Sequence, residues 1–163
     1  MDKKKRLSFF TVIPWVMVAA SLLLIFGLTL QDKKGTTKLS EGTRETMVTV
    51  AVNSGASAEA VDSAWWNDSK NIRRLAHVPE FLLLGISITL ALRHMTYFIV
   101  RGFGCCAAVS LLDETLKGIL PNREFDFIDM GFDLIGYAFG IVIGVMLLTL
   151  VSFIRTRSKR IKK

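Results

Sequence analysis

LLDETLKGILPNREFDFIDMGFDLIGYAFG, Leu111 to Gly140, closes one apolar segment and opens the next with charged residues. Asp113, Glu114 and Lys117 fall in the last turns of the first, while Arg123, Asp126, Asp129 and Asp133 precede or open the second. Counted inward at about 1.5 Å per residue, Asp113 and Glu114 lie on the order of 10 Å below the end of their segment. Ionisable groups at such depth in a membrane are costly and mark a candidate functional site. Two adjacent carboxylates there must line a cavity, pair with cations or be protonated. Lys117, four residues after Asp113 on the same helical face, is a natural partner. In the next segment, steps of four and three from Asp129 reach Asp133, Gly136, Gly140 and Gly144. One face therefore carries two acids and then a seam of small residues, which lets helices approach closely in lipid. The face that packs also presents its acids to its neighbours.

The rest of the chain agrees with a membrane setting. Its 163 residues are 51% hydrophobic with a mean hydropathy of +0.42, too apolar for an ordinary soluble domain. Phe9 to Leu30 is uncharged over 22 residues and Leu134 to Phe153 over 20. Val78 to Leu92 is shorter, and Tyr97 to Leu120 is interrupted by Arg101, Asp113, Glu114 and Lys117. Crossing a bilayer takes about 20 residues, so the middle two segments reach across only by carrying polar residues into their ends. The expected fold is an all-α membrane protein, a bundle of four transmembrane helices near 9–30, 76–93, 97–120 and 130–154. A long extracytoplasmic loop, 31–75, joins the first two, and the whole of 1–163 forms a single domain. The first segment is longer than a signal-peptide core and lacks an A-x-A-like site, so it reads as a retained helix.

The net charge of +7 and pI near 9.7 come from basic residues gathered at the two ends, Lys3 to Arg6 and Arg155 to Lys163. That is the positive-inside pattern of a multi-pass cell-membrane protein with both termini cytoplasmic, not a nucleic-acid footprint. The partner it implies is the lipid bilayer itself. Within the loop, MVTVAV (Met47 to Val52) reads as a short strand-like or interfacial piece. Ser57 to Arg74 could form a helix sharing Ala60, Val61, Ala64 and Trp65 on one face, with Trp65 and Trp66 as interfacial anchors. Cys105 and Cys106 are adjacent, lack a second pair at metal-ligand spacing and read as small packing residues.

A second polar block, RRLAHVPEFLLLG, spans Arg73 to Gly85. His77 and Glu80 share a helical face one turn apart, and Pro79 fits the first turn of a helix, where its missing N–H costs nothing. Topology brings this block to the same membrane face as Leu111 to Gly140. The combined cluster is Arg74, His77, Glu80, Asp113, Glu114, Lys117, Arg123, Asp126, Asp129 and Asp133. Converging carboxylates can hold a divalent hard cation, or raise each other's pKa to make an acid–base pair. Arg123 with Lys117 could hold a phosphate or a carboxylate. No serine or cysteine is expected inside the cluster, and Thr115 is the nearest hydroxyl, which weighs against a covalent mechanism.

These residues, in this order, resemble the VanZ-like family of small bacterial membrane proteins. Its pattern opens with R-K-x-A-H-F-x-E-[YF], here Arg73 to Phe81. It continues with D-E-x-x-Q (Asp113, Glu114, Lys117) and a P-x-R-x-x-D-x-x-D turn (Pro121, Arg123, Asp126, Asp129). It ends with N-x-x-G-x-x-x-G (Asp133, Gly136, Gly140). The resemblance covers roughly 73–145. Lys117 stands where the family usually has Gln and Asp133 where it usually has Asn; being opposite in charge, the two could pair. The resemblance implies a cell-envelope protein, and the family's namesake is linked to antibiotic resistance, teicoplanin more than vancomycin. The leading expectation is an outward-facing acidic pocket engaging a lipid-linked cell-wall precursor or an anionic headgroup. A metal- or acid–base-dependent enzyme, with Glu114 or Asp113 as base, and a structural partner subunit stay open, as does a homo-oligomer.

Overall fold

The computed structural model describes residues 3–31, 33–121 and 123–161, with the side chains of 3–10, 33, 34, 36 and 159–161 left aside. Lys162 and Lys163, part of the basic C-terminal end, lie outside the described residues. All regular structure among the described residues is helical: α1 Lys3–Thr29, α2 Lys33–Asn53, α3 Ala58–Asp62, a 3-10 turn Trp65–Asn67, α4 Ser69–Leu92, α5 Phe98–Ile119 and α6 Phe127–Ile161.

Within α1, α4 and α6, the stretches Thr11–Thr29, Ser69–Leu92 and Phe127–Ser158 are long and apolar enough to cross a membrane. α5 has the length, but with Arg101, Asp113, Glu114 and Lys117 it is not among them, so three of the four expected spans meet the criterion. Apolar side chains cover the outside as well as the inside. Val16 is 60% exposed, Leu23 77%, Phe139 60% and Met146 65%, a surface suited to lipid rather than water.

The expected loop over 31–75 is helical for most of its length. α2 takes in the MVTVAV piece expected to be strand-like or interfacial. Its threonines and valines have modest helix propensity, but Thr43, Thr46 and Thr49 donate back to the carbonyls of Leu39, Gly42 and Glu45, and the helix packs on α4. The single helix expected within Ser57 to Arg74 is instead broken into three pieces. Ser57 caps α3 by accepting from Ala60 N–H at 3.2 Å, and Trp65 stacks on Phe132 at 6.0 Å. Asp68 then caps α4 by accepting from Lys70 N–H at 2.9 Å. Helix α4 thus starts seven residues before the expected 76, so Pro79 lies in its interior rather than in its first turn. Helices in a membrane-type bundle tolerate such a proline because neighbours compensate for the missing hydrogen bond.

Helices α4 and α6 form the closest pair, through glycines on both. A Cβ at Gly136 would lie 2.5 Å from Val78 O, one at Gly144 2.7 Å from Thr89 Cβ, and one at Gly140 would run into Leu82 O. In return, a Cβ at Gly85 would lie 2.6 Å from Tyr137 O. Phe81, Leu84, Ile88, Tyr137 and Ile141 fill the interior, joined by Val18 and Ile25 of α1 and Cys106 of α5. Because α1 and α5 end where α4 and α6 begin, four helix ends meet at one end of the bundle.

Candidate functional site

At that end the polar side chains form a closed network. Lys117 comes from the last turn of α5, and its ammonium lies 2.6 Å from Glu114 Oε1, 2.9 Å from Asp113 Oδ2 and 3.2 Å from His77 Nε2. An ammonium only donates, so His77 Nε2 is the accepting nitrogen and the ring proton sits on Nδ1. Nδ1 faces Asp133 Oδ1 at 2.9 Å, close but off the axis of a hydrogen bond. Asp133 also accepts from Ser110 Oγ at 2.6 Å, and Asp113 accepts from Thr29 Oγ1 at the end of α1. Glu114 uses its second oxygen to take the backbone N–H of Asp126 at 3.0 Å, tying α5 to the start of α6.

Asp129 sits among Arg73, Arg74, Lys117 and the His77 ring, within ion-pair distance of the three cations but with no hydrogen bond on Oδ1. Its oxygens lie 3.4 Å from Arg74 Nε, 3.6 Å from His77 Nε2 and 3.9 Å from both Lys117 Nζ and Arg73 Nη2. Arg74 reaches Asp126 at 2.8 Å and Asn71 at 3.1 Å. This guanidinium holds the Asp126 carboxyl below its ordinary pKa, against a smaller opposing effect of burial. Asp113, Glu114, Asp129 and Asp133 are all at most 1% exposed, and His77 and Lys117 are buried. Buried charges persist only when paired in this way.

Two expected members stand apart from the network, on the wall of an adjoining cavity of about 750 Å³. Glu80, expected to pair with His77, makes no hydrogen bond or ion pair among the described residues and borders that cavity. Arg123 also borders it and donates to Gln31 O at 2.6 Å. His77 and Lys117 are shared by network and cavity, whose remaining wall includes Lys70, Arg73 and, from α2, Leu39, Ser40, Thr43 and Met47.

A family model described as VanZ/LLP1 matches residues 12–150, which take in every residue of the network and most of the chain. The chain belongs to the VanZ/LLP1 family. No curated protein and no solved structure matches it. In this VanZ/LLP1 chain the four motif blocks fall on α4, on α5, on the α5–α6 connection and on α6, and they meet at the network just described. Lys117 and Asp133 do not pair with each other as their opposite charges suggested. His77 lies between them, taking Lys117 on one nitrogen and Asp133 on the other.

The expectation that the cluster holds no serine is corrected by Ser110, one turn before Asp113 and 2% exposed. Thr115, the expected nearest hydroxyl, is instead exposed and bonded to Leu111 O. Ser110 donates to a carboxylate rather than to the imidazole and lies off the cavity wall, so it is not placed as a nucleophile. Thr29 carried no sequence signal, because its partner is 84 residues away.

Proposed function

We propose that this is a four-span membrane protein of the cell envelope whose cavity holds the anionic headgroup of an envelope lipid or lipid-linked wall precursor, acting as a binding protein rather than a catalyst. α5 serves as the fourth span because Asp113, Glu114 and Lys117 are buried against other helices and leave the lipid-facing side apolar. With the basic ends held in the cytoplasm, the network and the cavity face outward.

The observation that carries the binding reading is the make-up of the cavity wall. Lys70, Arg73 and Arg123 supply positive charge beside Lys117, whose ammonium Asp113 and Glu114 already hold. Glu80, Glu124 and the Arg74-paired Asp126 share the wall, and Leu28, Leu39, Met47 and Leu75 supply an apolar side. Such a wall suits a ligand that is phosphate-bearing at one end and greasy at the other. Holding that headgroup alters what an antibiotic meets at the membrane surface, and the family resemblance makes teicoplanin the drug to test. A Gram-positive host would carry wild type, Arg73→Gln or empty vector, with protein levels in the membrane measured alongside. Wild type should protect against teicoplanin more than vancomycin, and an equally abundant Arg73→Gln protein should not. Protection unchanged in Arg73→Gln would remove the cavity from the phenotype.

One observation favours a second reading. Glu80 borders the cavity one turn from His77 with no hydrogen bond or ion pair among the described residues, the position of a general base. An enzyme would show turnover of a phosphate-bearing lipid that Glu80→Gln abolishes while binding persists.

A further inference from the structure

The groups around Lys117 have the donor types and spacing that would also suit a metal ion. His77 Nε2 or Nδ1, a Glu114 oxygen and an Asp129 oxygen lie within 4.8 Å of one another, on three different helices. Ligands on opposite sides of an ion bonded at about 2.0–2.6 Å stand roughly 4–5 Å apart, so one divalent cation could touch all three. The ammonium of Lys117 stands among these groups, 2.6 Å from Glu114, 3.2 Å from His77 and 3.9 Å from Asp129, with Asp113 a fourth neighbour at 2.9 Å.

Two features distinguish this from an ordinary acidic cluster. A cation is already bound at its centre, tethered to the chain. Asp129, 1% exposed, is held only loosely: Oδ1 meets Arg74 Nε at 3.4 Å without a hydrogen bond, and Oδ2 lies 3.9 Å from both Lys117 and Arg73. A lysine carries one charge and three donors, and those are engaged by Asp113, Glu114 and His77. A divalent ion carries two charges and could bring Asp129 into its shell as well.

We infer that Lys117 is a tethered occupant of a divalent-cation site, and that removing its ammonium opens the site to a metal of the kind that accepts mixed nitrogen and oxygen ligands, such as Mn²⁺. In the native chain the amine does the work of the ion: it neutralises the carboxylates and joins α4 to α5 at the wall of the cavity. The network therefore needs no metal to stay folded. This inference does not depend on what the cavity binds.

The test uses the full-length protein purified in detergent, with Mn²⁺ alone as the probe. Uptake is read by electron paramagnetic resonance and thermal unfolding with and without a chelator. Wild type should take up no stoichiometric Mn²⁺ and unfold at the same temperature in either condition. Lys117→Gln should unfold at a lower temperature in chelator, recover on adding Mn²⁺ and bind one ion per chain. Asp113→Asn with Lys117→Gln keeps the three ligands while shedding one negative charge, and should also bind one ion. Adding Asp129→Asn to either variant should abolish uptake, which a merely structural role for Lys117 would not require. One ion per chain in wild type would overturn the inference, as would folded variants that take up none. Failure of both variants to accumulate even in Mn²⁺-supplemented cells would overturn it too, because the ion is required to substitute for the ammonium.

Discussion

Glu114 has both oxygens committed and no exposed surface: one holds Lys117 at 2.6 Å, the other the Asp126 N–H at 3.0 Å. Glu114→Gln keeps the shape but removes one of the two carboxylates that hold the Lys117 ammonium, leaving Asp113 at 2.9 Å. The loss therefore falls short of the ~3–5 kcal/mol of a buried charge left wholly unpaired. The variant should unfold several degrees below wild type in detergent. A Glu114→Gln protein as stable as wild type would mean the pair does not hold α5 in place. Asp126 lies between helices and gives a pH signature. Its folded pKa is held below the ordinary value near 3.8 by Arg74, so its contribution is full above that value and lost as pH falls through the lowered one. Relative to wild type, Asp126→Asn should be less stable at neutral pH, with the difference closing below about pH 4. A stability difference that stays constant down to acid pH would disprove the Arg74 contact. At this scale the sequence was informative wherever spacing is local. Lys117 and Asp113 could be paired from a four-residue step, whereas Thr29 and Ser110 could not be assigned, because each meets its partner on another helix.

The α4–α6 seam turns on whether a methyl group fits. Gly140→Ala would place one against the Leu82 carbonyl, on backbone that cannot swing away, and overpacking of this kind costs about 1–3 kcal/mol. Gly104→Ala on α5 meets nothing within 4 Å and should be neutral or slightly stabilising. Thermal unfolding of both proteins in the same detergent checks the contrast; equal effects would mean that α4 and α6 do not approach as closely as described. The seam was legible because glycines at helical steps state their own geometry. Helix α2 was not, since threonine, valine and glycine argue against a helix when read alone. Its hydroxyls satisfy carbonyls of the preceding turn and α4 supplies the packing, neither of which is visible as periodicity. Pro79 misled for a related reason: it marked a first turn that Asp68 and Lys70 had already moved eleven and nine residues upstream.

Across the whole molecule, the same crowding of helix ends that buries the ion network leaves a cavity beside it, walled by α2, the ends of α1 and α5, the start of α4 and the α5–α6 connection. The clustering of acids could be read from the sequence, but the cavity could not, because one of its walls was expected to be an irregular loop. That wall offers a way to block the cavity without touching an ion pair. Thr43→Trp, on the exposed side of α2 facing the cavity, should intrude on it and leave thermal stability close to wild type. The most direct measurement is native mass spectrometry of the protein released from bilayers containing both phosphatidylglycerol and phosphatidylcholine. Wild type should retain the anionic lipid in preference to the zwitterionic one, and Arg73→Gln and Thr43→Trp should each lose that preference. Equal retention by all three proteins, or no preference in wild type, would contradict headgroup binding in the cavity.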